Sequence, residues 1–180
     1  MKEQILFNSF AEALIVRGYG SRITTSLKAR LRQCELDLDN LRPGYPAHLL
    51  PSWLDAMALE LFPAQSRAEA HHAMGRRFIE GWKETLLGRA LRPLIKLLPP
   101  KRALGRMERN FGSTDNFTRI TLTDLGPTAI SMRFNDILGV PDFYEGLLDE
   151  GASLASAKDA RCRLQKLEAP GAVFLCEWSA

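Results

Sequence analysis

The spacing of apolar residues changes near residue 112, and this change constrains the fold more than any other feature. Before it, apolar residues recur every three or four positions, as in amphipathic helices. After it, alternating apolar residues flank turns at Gly126 and Pro170, a pattern typical of β-hairpins, and Pro141 opens a helix between them. We therefore predict an α+β fold. N-terminal helices (residues 1–112) pack with a C-terminal antiparallel sheet of two hairpins separated by a helix (residues 113–180).

Local signals predict where several helices begin and end. Residues 66–69, Ser-Arg-Ala-Glu, form a capping box, so we expect a helix to start there. Thr24 is a candidate cap for a short helix before it. Pro46 is predicted to occupy the first position of the helix that ends at Pro63, because proline is tolerated in a first turn. Residues 101–111 are predicted to form one short helix.

Other segments are predicted from residues that interrupt helices. Lys2–Val16 has helical spacing, although Ile5–Phe7 is also compatible with a strand. Asp37–Pro46 is predicted to be a loop, because Asp, Asn, Pro and Gly are concentrated there. Gly88 and Pro93 are expected to break or kink the segment that contains them, since proline removes a helical amide donor.

The composition fits a single domain covering residues 1–180. With 180 residues, 46% of them hydrophobic, the core needs no disulfide or structural metal. The three cysteines are odd in number and widely spaced, which excludes a disulfide framework and a zinc finger. Cys162 and Cys176 fall at inward strand positions and are predicted to lie in the core, whereas Cys34 is the more reactive candidate.

The sequence lacks the pattern of a signal peptide or a membrane span. Glu3 and Glu12 interrupt the first apolar stretch, and no small-residue cleavage site follows it. No window approaches about eighteen uncharged apolar residues. We therefore expect a cytoplasmic protein.

Charge is unevenly distributed along the chain. The formal charge of +3 is the sum of zero for residues 1–75, +7 for residues 76–109 and −4 for residues 110–180. The basic segment, residues 76–109, holds ten Lys/Arg against three Glu. Such asymmetry is compatible with a nucleic-acid or membrane-surface contact. It is equally compatible with a solvated helical face that the acidic C-terminal part neutralises.

An ordered series of short motifs runs through nearly the whole chain. The motifs are Tyr45-Pro46, Trp53, Gly75-Arg76-Arg77-Phe78, residues 85–91, residues 100–104, residues 109–111, Asn116-Phe117 and Glu177-Trp178. This series resembles a paralogous family of bacterial domains of unknown function that is expanded in myxobacteria. The resemblance implies a family without an established activity.

The order of elements also resembles the H-NOX haem-nitric oxide sensor domains, and it is similar to vinyl-reductase-type and TRAPP-type domains. In the H-NOX pattern a proximal histidine ligates haem iron and a Tyr-x-Ser-x-Arg triad holds the propionates. Ser131 and Arg133 match the last two triad positions, but Ala129 stands in place of the tyrosine and no histidine follows His72. Because haem iron needs an axial ligand from the protein, the resemblance implies an H-NOX-like fold without haem, and we expect no cofactor.

A group of polar residues is the candidate ligand site. Arginines in it are suited to gripping a carboxylate or phosphate. The candidate residues are Arg106, Arg109, Asn110, Asn116, Ser131 and Arg133. Alternatively, Arg109 and Arg133 make structural ion pairs with Asp115, Asp124 or Asp136. His71 and His72 are adjacent, so they point about 100° apart on a helix and do not converge on a metal. We predict no metal site and no catalytic residues.

These observations favour a non-enzymatic signalling or regulatory module. It would bind a small anionic or hydrophobic ligand or a protein partner, and a homodimer is compatible with the sequence. One alternative is a nucleic-acid-binding protein that uses the basic segment, although we expect no nucleic-acid partner because exposed aromatics are few there. The other alternative is an enzyme whose site carries no recognisable motif.

Overall fold

The structure, a computed structural model, describes residues 3–179 apart from the side chains of Glu108 and Asn110. Its first half is mainly helical. The helices are α1 (Asn8–Ala11), which continues as a π-helix (Glu12–Arg17), α2 (Thr25–Gln33), α3 (Leu50–Leu61), α4 (Arg67–Lys83), α5 (Leu86–Lys96), α6 (Pro100–Leu104) and α7 (Met107–Phe111). Short 3₁₀ helices span Gly20–Arg22 and Ala47–Leu49. None of the helices in residues 3–179 has the length and apolar composition that crossing a bilayer requires.

The C-terminal part forms a four-stranded antiparallel sheet with one helix. Its elements are β3 (Ile120–Gly126), β4 (Ala129–Phe134), α8 (Pro141–Leu154), β5 (Lys158–Glu168) and β6 (Gly171–Ser179). The spatial order is β3-β4-β6-β5, so the two hairpins join through β4 and β6. Met132 at the centre of β4 is paired with Leu122 and Phe174. The predicted α+β fold, with two hairpins separated by a helix, is confirmed.

A second, two-stranded sheet differs from the prediction. Ile5–Phe7 forms β1 and pairs with Gly44–Pro46, which forms β2. The strand alternative for Ile5–Phe7 is therefore the correct one, and the predicted loop ends in a strand. The Asn116 side chain binds the backbone of β1, because its Oδ1 accepts a hydrogen bond from the Ile5 amide at 2.9 Å. The strand exists because distant segments supply its hydrogen-bond partners.

Several helix boundaries in the structure differ from the predicted ones. Pro46 lies in β2, and Pro51 occupies the first turn of α3 instead. The capping box at Ser66 is present, as predicted. The segment that contains Gly88 and Pro93 is not broken, because α5 runs through both residues.

The contacts of Gly88 explain why this residue does not break α5. Thr85 caps α5 by accepting from the Gly88 amide at 3.1 Å, so the glycine belongs to a satisfied first turn. A Cβ atom at Gly88 would overlap the carbonyl oxygen of Trp82, so only glycine allows this close approach to α4. The single helix predicted for residues 101–111 is two helices, α6 and α7, separated at Gly105-Arg106.

The core is centred on α4. Phe78 on α4 lies 4.8 Å from Phe10 and 6.0 Å from Phe143 between ring centroids, so it joins α1 to α8. On the sheet side, Phe134 contacts Tyr144 at 5.3 Å and Phe174 at 5.7 Å. Aromatic contacts therefore run continuously from the N-terminal helices to the sheet.

Cys162 and Cys176 are both buried, as predicted for core positions. They are also paired across β5 and β6, and a disulfide joins them. The odd number and wide spacing of the cysteines did not indicate this bridge. Cys34 is the free cysteine of the described chain.

Candidate functional site

An apolar cavity of about 50 Å³ lies between α4, the segment from α5 to α7, and α8. The aromatic and sulfur side chains in its wall are Phe78, Trp82, Phe111 and Met107. Aliphatic side chains complete the wall, namely Ile79, Ile95, Ala103, Leu147, Leu154 and Ala155, with Gly151 beside them. The cavity is therefore lined by residues from both halves of the chain.

The cavity wall has one hydroxyl, from Thr114, and no charged side chain. That hydroxyl donates to the carbonyl oxygen of Phe111 at 3.0 Å, so its hydrogen is already used. An ordered water needs two to four polar partners, and this wall offers fewer than that. The geometry therefore suits a small apolar molecule and not an anion.

The local sequence explains how the wall is built. The apolar residues of α4 recur at helical spacing, and its capping box sets where the helix begins. Pro141 in the first turn of α8 places Leu147 and Leu148 inward, where both are fully buried. An apolar stripe of this kind predicts core positions. Nothing in an apolar stripe distinguishes a packed core from a cavity wall.

Three candidate residues in the segment between α6 and β3 do not line this cavity, namely Arg106, Arg109 and Asn116. Arg106 and Arg109 are exposed, and neither has an ion-pair partner among the described side chains. The side chain of Asn110 lies outside the described residues. Asn116 has a structural role: besides accepting from Ile5, its Nδ2 donates to the carbonyl oxygen of Glu3 at 3.0 Å.

The candidate residues on β4 lie on the outer face of the sheet. Ile130, Met132 and Phe134 are buried towards the helices, so the alternation of the strand turns Ser131 and Arg133 the other way. Arg133 forms an ion pair with Glu168 and remains exposed. The structure therefore does not bring Ser131 and Arg133 to the cavity. Their role in ligand binding stays a prediction.

The ion pairs that were expected for the two arginines also differ. The partner of Arg133 is Glu168, whereas Asp124 pairs with Lys101 at 2.5 Å. Asp115 is buried and accepts from the amides of Phe117 and Thr118 at 2.9 and 2.8 Å. Its carboxylate therefore closes a turn in the backbone and binds no arginine.

His71 and His72 point in different directions, as predicted, and each contacts a different helix. His71 is fully buried with Nε2 3.0 Å from Asp55 of α3, and His72 has Nε2 3.0 Å from Asp149 of α8. Burial lowers the pKa of His71, and nearby Arg67 lowers it further. The hydrogen bond to Asp149 raises the pKa of His72.

Cys34 does not have the environment of a nucleophile. Burial raises the pKa of its thiol, and the charge of Asp55 raises it further. A raised pKa reduces the thiolate fraction, and the thiolate is the reactive form. In residues 3–179, no three His, Cys, Asp or Glu side chains are grouped so as to hold a metal ion.

The cavity does not fit a haem. Pockets for ligands of drug size measure about 300–1,000 Å³, several times the volume found here. The wall offers the thioether of Met107, and none of its described residues is a histidine, cysteine or tyrosine. Both His71 and His72 are held by carboxylates on other helices. We therefore derive no chemistry through haem.

The fold is similar to that of solved H-NOX structures at low sequence identity. An Fe(II) unliganded H-NOX mutant from K. algicida is 14% identical, with a TM-score of 0.68 and coverage of 96% of each chain. An oxygen-binding H-NOX domain related to soluble guanylate cyclases is 12% identical, with a TM-score of 0.67, covering 96% of this chain and 92% of that one. A Cs H-NOX mutant with 4-cyano-L-phenylalanine is 10% identical, with a TM-score of 0.71 and coverage of 97% of each chain.

No curated protein matches the sequence. One family model does match, over residues 4–179, and it carries the description "Protein of unknown function (DUF2378)". The match spans nearly the whole chain, and the chain therefore belongs to the DUF2378 family.

Proposed function

We propose that this protein is a haem-free, non-enzymatic sensing domain whose cavity binds a small hydrophobic molecule. The observation that carries the proposal is the apolar cavity between α4, α5–α7 and α8. A ligand there would contact the helical half through Trp82 and Phe111 and the C-terminal half through Leu147. Binding would therefore change how strongly the two halves are held together, which is the physical requirement for transmitting a signal.

The size of the cavity limits the ligand. A void of about 50 Å³ is smaller than the roughly 150 Å³ that accepts benzene in an engineered protein cavity. Filling it recovers about 24 cal/mol per Å³, or about 1 kcal/mol in total. The ligand class is therefore an apolar molecule of a few heavy atoms. Larger ligands require α5–α7 to move outward.

Two further observations support a sensing role over catalysis. His71 and His72 are engaged by carboxylates, and the pKa of the Cys34 thiol is raised, so neither a free base nor an activated thiol adjoins the cavity in the described chain. The fold is also shared with domains described as H-NOX, one of them as oxygen-binding. The nucleic-acid alternative has less support, because the aromatic side chains of the basic segment, Phe78 and Trp82, are buried and leave no exposed ring on which a base could stack. Four of the ten cations in the segment also pair with carboxylates, namely Arg76, Lys83, Arg89 and Lys101.

Methyl NMR with xenon as the probe tests the proposal. Xenon is expected to shift the methyl resonances of Ile79, Ile95 and Leu147, which line the cavity. Ala155→Leu places a larger side chain in the wall and should abolish these shifts, whereas Ala29→Leu on the exposed face of α2 should leave them unchanged. Shifts that are absent, or that persist in Ala155→Leu, would overturn the proposal.

The absorption spectrum tests the haem-free part separately. Protein purified from cells supplied with a haem precursor is expected to show no Soret band. A band of one haem per chain would contradict this part of the proposal. The xenon experiment on apo-protein would still decide whether the cavity binds small apolar molecules.

A further inference from the structure

Helix α5 presents an apolar face that nothing in the described chain covers. Leu86 is 89% exposed, Leu94 is 52% exposed, and Leu97, just beyond the helix end, is 81% exposed. Only Gly88 and Ile95 of α5 are buried. A soluble domain that groups large exposed apolar side chains on one helix typically uses them for an interaction.

The residues of α5 separate into an apolar and a basic arc. At about 100° per residue, Leu86, Ala90 and Leu94 lie within about 80° of one another. Arg89, Arg92 and Lys96 lie within about 60° of one another on a different side. Ile95 lies between these arcs, on the side of α5 that faces the protein. The solvent-exposed surface of α5 therefore has one apolar side and one basic side.

The charge around the apolar face is positive and largely uncompensated. From Leu86 to Met107 the sequence contains no Asp or Glu. Within that stretch Arg89 pairs with Glu84 and Lys101 with Asp124. Among the described side chains, the other cations of the stretch have no ion-pair partner: Arg92, Lys96, Arg102 and Arg106. The surface therefore complements a partner that is apolar and negatively charged.

The composition of the surface favours lipid over protein. Energetically dominant residues at protein interfaces are enriched in Trp, Tyr and Arg, whereas Leu is under-represented. The large exposed apolar residues of this surface are leucines, and neither Trp nor Tyr occurs between Leu86 and Met107. Leucines combined with Lys and Arg are the composition of helices that lie in the headgroup region of a membrane. We propose that α5 and Leu97 dock onto the surface of an anionic lipid bilayer. The leucines enter the acyl boundary while Arg92 and Lys96 reach the phosphates.

Vesicle sedimentation of the full-length protein tests this proposal. We expect binding to phosphatidylcholine vesicles that contain about one quarter phosphatidylglycerol, and at least about tenfold weaker binding to pure phosphatidylcholine. Raising NaCl from about 50 to about 500 mM should weaken the binding, because salt screens the attraction. Equal binding to both vesicle types, or binding to neither, would overturn the proposal.

Matched variants distinguish vesicle binding through the α5 face from nonspecific binding through other exposed leucines. Leu86→Ser with Leu97→Ser should reduce vesicle binding by about tenfold or more, because both side chains contribute apolar area. Leu59→Ser with Leu167→Ser removes leucines that are 65% and 58% exposed elsewhere, and should have no effect. For charge, Arg92→Gln with Lys96→Gln should weaken binding, whereas Lys158→Gln with Arg161→Gln on β5 should not.

Two outcomes would assign the surface to another partner. If the Leu86/Leu97 double variant keeps full vesicle binding but loses self-association in sedimentation velocity, the surface is a dimer interface and the lipid proposal fails. If only the charge variants lose affinity, and the same protein binds RNA more tightly than phosphatidylglycerol vesicles, the surface binds nucleic acid instead. Circular dichroism of each variant confirms that loss of binding is not loss of folding.

Discussion

Gly75 on α4 and Gly146 on α8 lie where the two helices cross, and each approaches the backbone of the other helix. A Cβ atom at Gly75 would overlap the carbonyl oxygen of Phe143, and one at Gly146 would overlap that of His72. The absence of a side chain at both positions lets the helices approach closely. The crossing holds α8, and with it one wall of the cavity, against α4.

Gly75→Ala should destabilise the protein by about 1–3 kcal/mol or more, because the added methyl meets rigid backbone. Urea unfolding measures the effect. Gly151→Ala on α8 is the control, since its Cβ would lie 3.1 Å from the flexible end of Met107. That variant should stay within about 1 kcal/mol of the wild type. Equal unfolding midpoints for the two variants would show that the backbones of α4 and α8 are not in close contact at Gly75.

His71 and His72 should titrate on opposite sides of the ordinary histidine pKa of 6.5. The folded pKa of His72 is raised, so its contribution to stability is complete below 6.5 and is lost as the pH rises through the folded value. The folded pKa of His71 is lowered, so stability falls as the pH drops below 6.5, because the unfolded chain takes up the proton first. NMR titration of the two ring Cε1 protons checks both directions.

Asp149→Asn tests the cause of the His72 shift. The substitution removes the negative charge of the carboxylate that accepts a hydrogen bond from His72. The His72 pKa should therefore fall, while the pKa of His71 stays below 6.5. An unchanged His72 titration would show that Asp149 is not responsible.

Leu147→Ala should destabilise the protein by about 2–5 kcal/mol and enlarge the cavity, because Leu147 is fully buried in the cavity wall. The larger void should then bind benzene, which thermal unfolding detects as a rise in Tm on benzene addition. Leu59→Ala, at a site that is 65% exposed, should change stability by less than about 0.5 kcal/mol and give no benzene effect. A benzene effect of the same size in both variants would contradict the assignment.

Thiol counting checks the Cys162–Cys176 bridge. Protein unfolded without reductant should react with a thiol reagent at Cys34 alone, and after reduction all three cysteines should react. Because the bridge joins residues 14 positions apart, reduction should lower the free energy of unfolding by about 3 kcal/mol. Three reactive thiols before reduction would show that the two buried cysteines are not bonded.

Elements with local signals were predictable from the sequence. The capping box at Ser66, Pro141 at the start of α8 and the turn before β6 each act within a few residues, so a single stretch of chain carries the information. The β1–β2 pair was harder to predict, because Ile5 and Pro46 meet only in the folded chain. Likewise, the sequence does not show that α5 continues through Pro93.

The candidate site was less predictable than the fold. The sequence pointed to polar residues, Ser131 and Arg133 among them, because charged groups have recognisable chemistry. The strand alternation at Met132 and Phe134 turns them away from the helices. The cavity is lined instead by side chains such as Phe78 and Leu147, whose helical spacing is the same as that of ordinary core residues.

By itself, the sequence determined the α+β class, the two hairpins around α8 and the concentration of positive charge in residues 76–109. These properties depend on residue type and spacing along the chain, which a sequence contains in full. Only the tertiary structure decided which faces meet, that Cys162 and Cys176 are neighbours, that α5 leaves leucines uncovered, and that packing leaves a void beside Trp82. A void is a property of how side chains from distant segments fit together, so no residue type encodes it.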